Sequence, residues 1–310
     1  MKITNKLLFI LSFLCCNYST IFAQTDLENQ DLKGKIKSVS TTVYRTSMKE
    51  GKVKLRGISQ IQESSFNKAG YMVSTAYQIN SLSLGEGPKR KIVHKLDKDN
   101  QLLKKTNYKD AVETMSTEYL YKKEQLAATK YLEGEELLGR EFYTYDDNEN
   151  KLSSNSTNPD GNSLQKMEFT YTKDNKLASS KKYKGEALVA YTKYEYPSKK
   201  EEKIIDLDTE TEEETMTSYT IKTYDANHNC LSSIEYTPDG TIEKKHLNQY
   251  NKQGDMTLRQ VFGADGKEEA YNYVRYEYRY DKKGNWTQQV EFLKNGNSLD
   301  AVQREIVYYK

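Results

Sequence analysis

The stretch Tyr280-Asp281-Lys282-Lys283-Gly284-Asn285-Trp286 decides the fold. Two relatives stand upstream, Tyr250-Asn251-Lys252-Gln253-Gly254-Asp255-Met256 and Phe66-Asn67-Lys68-Ala69-Gly70-Tyr71-Met72. Each reads as strand, turn, strand. Asp or Asn opens a type I turn, and one left-handed residue after it completes the three-residue loop that joins adjacent antiparallel strands. Gly70, Gly254 and Gly284 fill that left-handed position. In other copies Asn100 and Asn175 stand there, a conformation Asn tolerates, while Glu149 and His228 are exceptions.

Working outward, the anchor residues are Phe66, Leu96, Tyr121, Tyr145, Tyr171, Tyr196, Tyr224, Tyr250 and Tyr280, spaced by 30, 25, 24, 26, 25, 28, 26 and 30 residues. A near-fixed period of this size marks a repeat architecture. A second turn follows half a repeat later in Asn158-Pro159-Asp160-Gly161, Thr237-Pro238-Asp239-Gly240, Gly263-Ala264-Asp265-Gly266 and Leu293-Lys294-Asn295-Gly296. Each repeat is therefore two strands and two tight turns, and the chain reads as all-β, an antiparallel meander of about 18 strands. Strand side chains alternate between faces. Counting from the anchors, even positions collect Leu177, Cys230, Met256 and Trp286 as a core row, followed by Tyr108, Tyr183, Tyr236, Phe262 and Phe292. That count predicts one tyrosine-rich face and one polar face. Open sheets beyond about ten strands curl or split, so a curled, barrel-like or spiral sheet is expected.

Composition fits this reading. The chain has 310 residues, 26 of them Tyr, with 16 Gly and 4 Pro. Leu, Ile, Val and Phe amount to only about 18% of residues 24–310, so tyrosine must supply the burial that aliphatic residues supply elsewhere. Lys2 and Lys6 precede the apolar run Leu7 to Cys16, and a small residue, Ala23, precedes Gln24. This is the layout of a secretory signal peptide over residues 1–23. A lipoprotein is the alternative, although Cys15 follows Leu14 and Cys16 follows Cys15 where a small residue is needed. Residues 24–31 read as a linker and 32–310 as a single repeat domain. Without the leader, 45 basic side chains face 45 acidic ones and Cys230 is the sole cysteine. A neutral chain has no bulk attraction for nucleic acid, and no transmembrane segment is expected in the mature chain.

Tyr280 to Asn285 resembles the core of the YD, or Rhs, repeat, Tyr-Asp-x-x-Gly-Asn; Tyr224 to Asn229 and Tyr145 to Asn150 match it apart from the Gly. Leu32 to Val39 and Arg304 to Tyr309 also resemble the flanks of small exported bacterial proteins of this kind. The resemblance implies a rolled β-sheet, and in large relatives a shell around a toxin domain. This chain is far shorter than those shells. The motif residues are scaffold positions in that family, so the resemblance supplies no catalytic residue.

Chemistry-bearing patterns are sparse. His94, His228 and His246 lack paired spacing, and Cys230 falls on the apolar row. Asp206, Asp208, Glu210, Glu212 and Glu214 alternate, which puts them on one face of an extended segment, yet they lack the Gly-bearing loop of a calcium hand; a solvated insertion is expected. No phosphate loop, nucleophile elbow or zinc-binding pair occurs. The expectation is a non-enzymatic exported repeat protein, with no catalytic residue, cofactor or metal, acting as a binding or structural module in the envelope or secreted space. Its partner is an unknown protein or a cell-surface polysaccharide, and not nucleic acid. Irregular units at 79–91 and 197–218 are the places where a repeat surface would carry specificity. Carbohydrate binding by outward tyrosines and an accessory or immunity role beside an Rhs-type toxin are the alternatives.

Overall fold

The computed structural model describes residues 25–81, 85–210, 214–269 and 272–310. The signal-peptide segment 1–23 lies outside the described residues. Among the described residues, apart from one short 3-10 turn at Glu28–Gln30, the named elements are all β-strands. In chain order the strands are β1 (Ile36–Lys49), β2 (Lys52–Phe66), β3 (Met72–Ser81), β4 (Gly85–Glu86), β5 (Arg90–Leu96), β6 (Leu102–Lys109) and β7 (Val112–Lys122). Then follow β8 (Gln125–Glu133), β9 (Glu136–Tyr145), β10 (Lys151–Thr157), β11 (Ser163–Tyr171), β12 (Leu177–Lys184), β13 (Ala187–Ser198) and β14 (Glu201–Leu207). The last are β15 (Met216–Tyr224), β16 (Cys230–Tyr236), β17 (Ile242–Tyr250), β18 (Met256–Gly263), β19 (Val274–Tyr280), β20 (Trp286–Leu293) and β21 (Ser298–Tyr308).

Strand follows strand in an antiparallel meander, and β1 pairs with both β2 and β21. The sheet closes on itself. With β4 set aside as a short spur on β3, 20 strands form the barrel. The count exceeds the expected 18 by two because the 14-residue strand β1 precedes the strand that carries the first anchor and β21 follows the last turn. Closure satisfies the ladder groups that an open sheet would leave along its two edges.

The wall encloses space. The accessible surface is 21082 Å², against about 13,000 Å² for a compact protein of this mass. Alternating burial shows which side is inside. On β19, Val274 is buried and Tyr276, Tyr278 and Tyr280 are half-buried, whereas Glu277 and Arg279 are exposed. On β21, Asp300, Val302, Arg304 and Ile306 are half-buried, whereas Leu299, Glu305 and Val307 are exposed.

The expected single aromatic face does not form. Tyr171 pairs with Leu177 and Thr170 with Ser179, so Ala178 is left unmatched as a β-bulge. The same extra residue recurs at Val73, Leu103, Leu152, Leu231, Thr257 and Thr287. A bulge shifts the pleat by one residue. Anchors and the aromatics before them point inward, but the later residues Tyr183, Tyr236, Phe262 and Phe292 point outward, each directly opposite an outward partner such as Lys166, Tyr219, Lys245 or Arg275. A second bulge at the far turn, with Val189 or Glu243 unmatched, resets the phase for the next repeat.

A buried hydrophobic cluster gathers at one corner. Leu27, Leu32, Ile36, Val39 and Phe66 form a buried cluster with Met72, Ile306 and Tyr308 against it. Residues 25–34, expected as a linker up to residue 31, thus pack across one end of the barrel. Asp26 Oδ2 accepts a hydrogen bond from the Met72 amide at 2.6 Å, and the Leu27 amide donates to the Gly70 carbonyl. Asn285 grips the segment on the other side, accepting from the Lys33 amide and donating to its carbonyl.

Candidate functional site

Interior tyrosines are structural stitches before they are anything else. The hydroxyls of Tyr121, Tyr145, Tyr171, Tyr196, Tyr250 and Tyr278 donate to the carbonyls of Leu102, Leu126, Lys151, Leu177, Cys230 and Met256 at 2.8–3.0 Å. Each acceptor is the carbonyl just before a bulge residue, a group the broken ladder leaves without its regular partner. A buried acceptor of this kind needs a replacement donor, and the phenol supplies it from one repeat further on. Burial raises the phenol pKa of Tyr196 and Tyr280 to about 12 and pushes Tyr143 and Tyr278 up as well. These hydroxyls remain protonated donors at neutral pH.

The turns form a second network. Gly70, Gly161, Gly240, Gly254, Gly266, Gly284 and Gly296 all have positive φ, and Asn100, Asn175, Glu149 and His228 adopt left-handed backbone at φ of 66, 58, 65 and 62. Side chains tie one turn to the next, as in Asn67 to Asn100 at 2.8 Å and Asn150 to Asn175 at 3.2 Å. Within a turn, Asp146 accepts from the Asn150 side-chain amide at Oδ2 and from the backbone amides of Asn150 and Asn148 at Oδ1, which holds that carboxyl below the usual range.

Of the expected core row, Leu177 is buried, whereas Cys230, Met256 and Trp286 are half-buried. Trp286 stacks under the Arg304 guanidinium at 3.3 Å and meets the Tyr278 ring edge-on. Burial lowers the Arg304 pKa to about 10, so the group stays charged at pH 7. On the inner wall as well, burial raises the carboxyl pKa values of Glu291 and Asp300; Asp300 adds to the rise at Glu291 and Arg259 opposes it, while Arg45 opposes the rise at Asp300.

The histidines do not converge. His94 Nδ1 is 3.1 Å from the Met72 carbonyl, His246 Nε2 is 3.7 Å from Glu235 and His228 occupies a turn. Burial lowers the pKa of His94 and His246. The acidic segment disperses too: Asp206 accepts from Thr192 and Ser218, Asp208 accepts from the Glu210 amide, and Glu214 pairs with Lys193. Glu212 lies outside the described residues. Among the described residues no three His, Cys, Asp or Glu side chains gather as a metal site would require.

The outer wall carries an open groove. A groove of about 400 Å³ crosses β11, β12 and β13, lined by Glu168, Thr170, Ser179, Lys181, Tyr191 and Lys193. Lys181 Nζ lies 4.4 Å and Lys193 Nζ 5.6 Å from the Tyr191 ring centroid. Glu214 accepts from both Lys193 and the Tyr191 hydroxyl and fixes one wall. On the opposite wall Glu168 accepts from Tyr183 at 3.1 Å and pairs with Lys166 at 2.6 Å. The floor is the Thr170–Ser179 hydroxyl pair at 2.7 Å. Along the same outer face Tyr219 and Tyr236 stack at 4.7 Å, with Lys203 over Tyr219. A single unbroken pleat count hides this face, because it assigns Tyr183 and Tyr236 to the interior.

No protein-family model and no curated protein matches the chain. Among solved structures it is similar to the Tc holotoxin pore of Photorhabdus luminescens, with 13% identity, a TM-score of 0.40 and coverage of 77% of this chain. The chain spans only 14% of the length of that toxin chain. It is also similar to a porin-like protein from Bacteroides uniformis, at 12% identity and TM-score 0.36, covering 87% of this chain and 96% of the other. A DUF1329 family protein from Desulfovibrio piger matches at 12% identity and TM-score 0.21, covering 90% of this chain and 88% of the other.

Proposed function

We propose that the protein is an exported, non-enzymatic β-barrel scaffold that binds another macromolecule through its outer wall in the cell envelope or the secreted space. The observation that supports it is the division of labour between the faces. Inward tyrosine hydroxyls are committed to bulge carbonyls, while the outward face presents aromatic and charged side chains around an open groove. The leader-like sequence supports export, and the Tyr-Asp-x-x-Gly-Asn motif supports a repeat protein of YD type.

The outer wall argues against lipid as its surroundings. Glu168, Lys181, Lys193, Lys203 and Arg279 all point outward from strands, and a basic side chain on a lipid face costs about 2–4 kcal/mol at the bilayer midplane. No helix among the described residues is long and apolar enough to cross a membrane.

The test is affinity capture from the envelope fraction of the producing cell with purified protein as bait. Specific retention of a protein or polysaccharide supports the scaffold reading. Capture of nothing above a control barrel sinks it, and copurification with a larger toxin chain moves the assignment to an accessory role.

A further inference from the structure

The hairpin of β1 and β2 outruns the ring. Arg45 is the last residue of β1 with a partner on β21, and Gln60 is the outermost residue of β2 with a partner on β3. Beyond them the two strands pair only with each other, up to a two-residue turn in which Glu50 and Gly51 both have positive φ, 52 and 70. A turn of that kind matches the twist of the strands it joins and fixes their register. Residues 46–49 of β1 carry this ribbon about 13 Å past the ring.

Its two faces differ in kind. Register sets Lys49 opposite Lys52 and Ser47 opposite Lys54 on one face, and Met48 opposite Val53 and Thr46 opposite Leu55 on the other. Arg56 joins the first face, its Nε donating to Ser47 Oγ at 2.8 Å. Lys49, Lys52, Lys54 and Arg56 are exposed, and among the described residues none of them forms an ion pair. Glu50, at the turn, is the one acid of residues 46–57. Like charges directly opposite one another, as at Lys49 and Lys52, destabilise a strand pair, and a lone two-stranded ribbon is marginal in water. An anionic surface offsets the first cost. Burial of Met48, Val53 and Leu55, the last 41% exposed, offsets the second.

The combination of faces selects the partner. A soluble polyanion would engage the basic face and leave the apolar one in water, and a neutral apolar partner would strand the basic one. An anionic lipid interface takes both, with the apolar side chains at the acyl boundary and the basic head groups reaching the phosphates on their long stems. We infer that the β1–β2 ribbon docks the barrel on an anionic membrane surface while the ring itself stays in water. This contact is separate from the outer groove on β11 to β13, so vesicle binding and envelope capture can each fail without the other.

Flotation of the purified protein with vesicles of phosphatidylcholine, and with vesicles of phosphatidylcholine and phosphatidylglycerol in equal parts, is the test. The expected result is co-flotation with the anionic vesicles alone, weakened by salt. Lys52→Gln with Lys54→Gln, and separately Val53→Ser with Leu55→Ser, should each weaken partitioning by about tenfold and melt with the parent, because these residues pair only within the ribbon. On anionic vesicles Leu55→Trp should gain a blue-shifted emission and Lys54→Trp should not; these two positions decide the matter if a double variant melts early. No flotation with either vesicle, equal flotation with the neutral one, or partitioning indifferent to both double variants overturns the inference. So does a single-stranded oligonucleotide that the ribbon holds in preference to the anionic vesicle, or a blue shift at Lys54→Trp without one at Leu55→Trp.

Discussion

The Tyr196 hydroxyl stands 3.0 Å from the Leu177 carbonyl beside an unmatched bulge residue. Tyr196→Phe removes the donor and keeps the ring, so it isolates the stitch. A buried acceptor left without a partner costs about 1–3 kcal/mol, and urea unfolding should show a loss of that size; an unchanged midpoint would mean that water takes over the bond. Glu291 provides a pH-dependent counterpart. Burial and Asp300 raise its pKa, so the folded state holds protons that the unfolded state releases. Stability therefore falls as pH rises from the unfolded Glu value, about 4.3, toward the raised value. Glu291→Gln should melt higher than the parent at pH 7 and lose that advantage by pH 4. Parallel melting curves at both pH values would contradict it. Some of this scale was legible in the sequence: Gly and Asn at fixed offsets in the turns are a backbone requirement that leaves a compositional trace. The hydroxyl-to-carbonyl bonds were not, because their acceptors are backbone groups that no residue type advertises.

Among the elements, the tight turns and the bulges do opposite things to the chain. Turns between β6 and β7 and between β7 and β8 place Asp110, Ala111, Lys123 and Glu124 at φ of 50, 67, 50 and 68. Left-handed backbone costs an L-residue about 1–2 kcal/mol, and Gly gives back about 0.4–1 kcal/mol through a freer unfolded chain. Ala111→Gly should therefore stabilise by about 0.5–1 kcal/mol, and Gly240→Ala, at φ 90, should destabilise by at least about 1 kcal/mol. Chemical denaturation of the pair checks both signs. Bulges escape sequence reading for a physical reason. Alternation counting assumes an unbroken pleat, and the unmatched residues range over Val73, Leu103, Ala178 and Thr287 with no shared side-chain demand. One inserted residue per hairpin is enough to send Tyr183 and Tyr236 outside.

The molecule as a whole is held shut at one corner. Leu27 is 6% exposed and packs with Leu32, Ile36, Val39 and Phe66, where the chain's start meets its end. Leu27→Ala deletes that packing and should cost about 2–5 kcal/mol. Trp286 sits next to Asn285, which grips Lys33, so a shift in Trp286 emission below the global unfolding midpoint would report local release of the latch. A single transition at the parent midpoint would refute the role. The meander was legible because its contacts join neighbours in sequence. Closure and the latch were not, since they pair Asn285 with a residue 252 positions away and depend on accumulated twist rather than on a local pattern.

The pairing of β21 with β1 is antiparallel, and that fact restricts how such a protein can change size. A ring in which every neighbour runs the opposite way admits only an even number of strands. Length can therefore grow or shrink only by whole hairpins, each one altering the girth by two strand spacings, about 10 Å. A repeat of two strands is the smallest currency in which this ring can be re-cut, and gene duplication of one repeat would widen the vessel without breaking its seal.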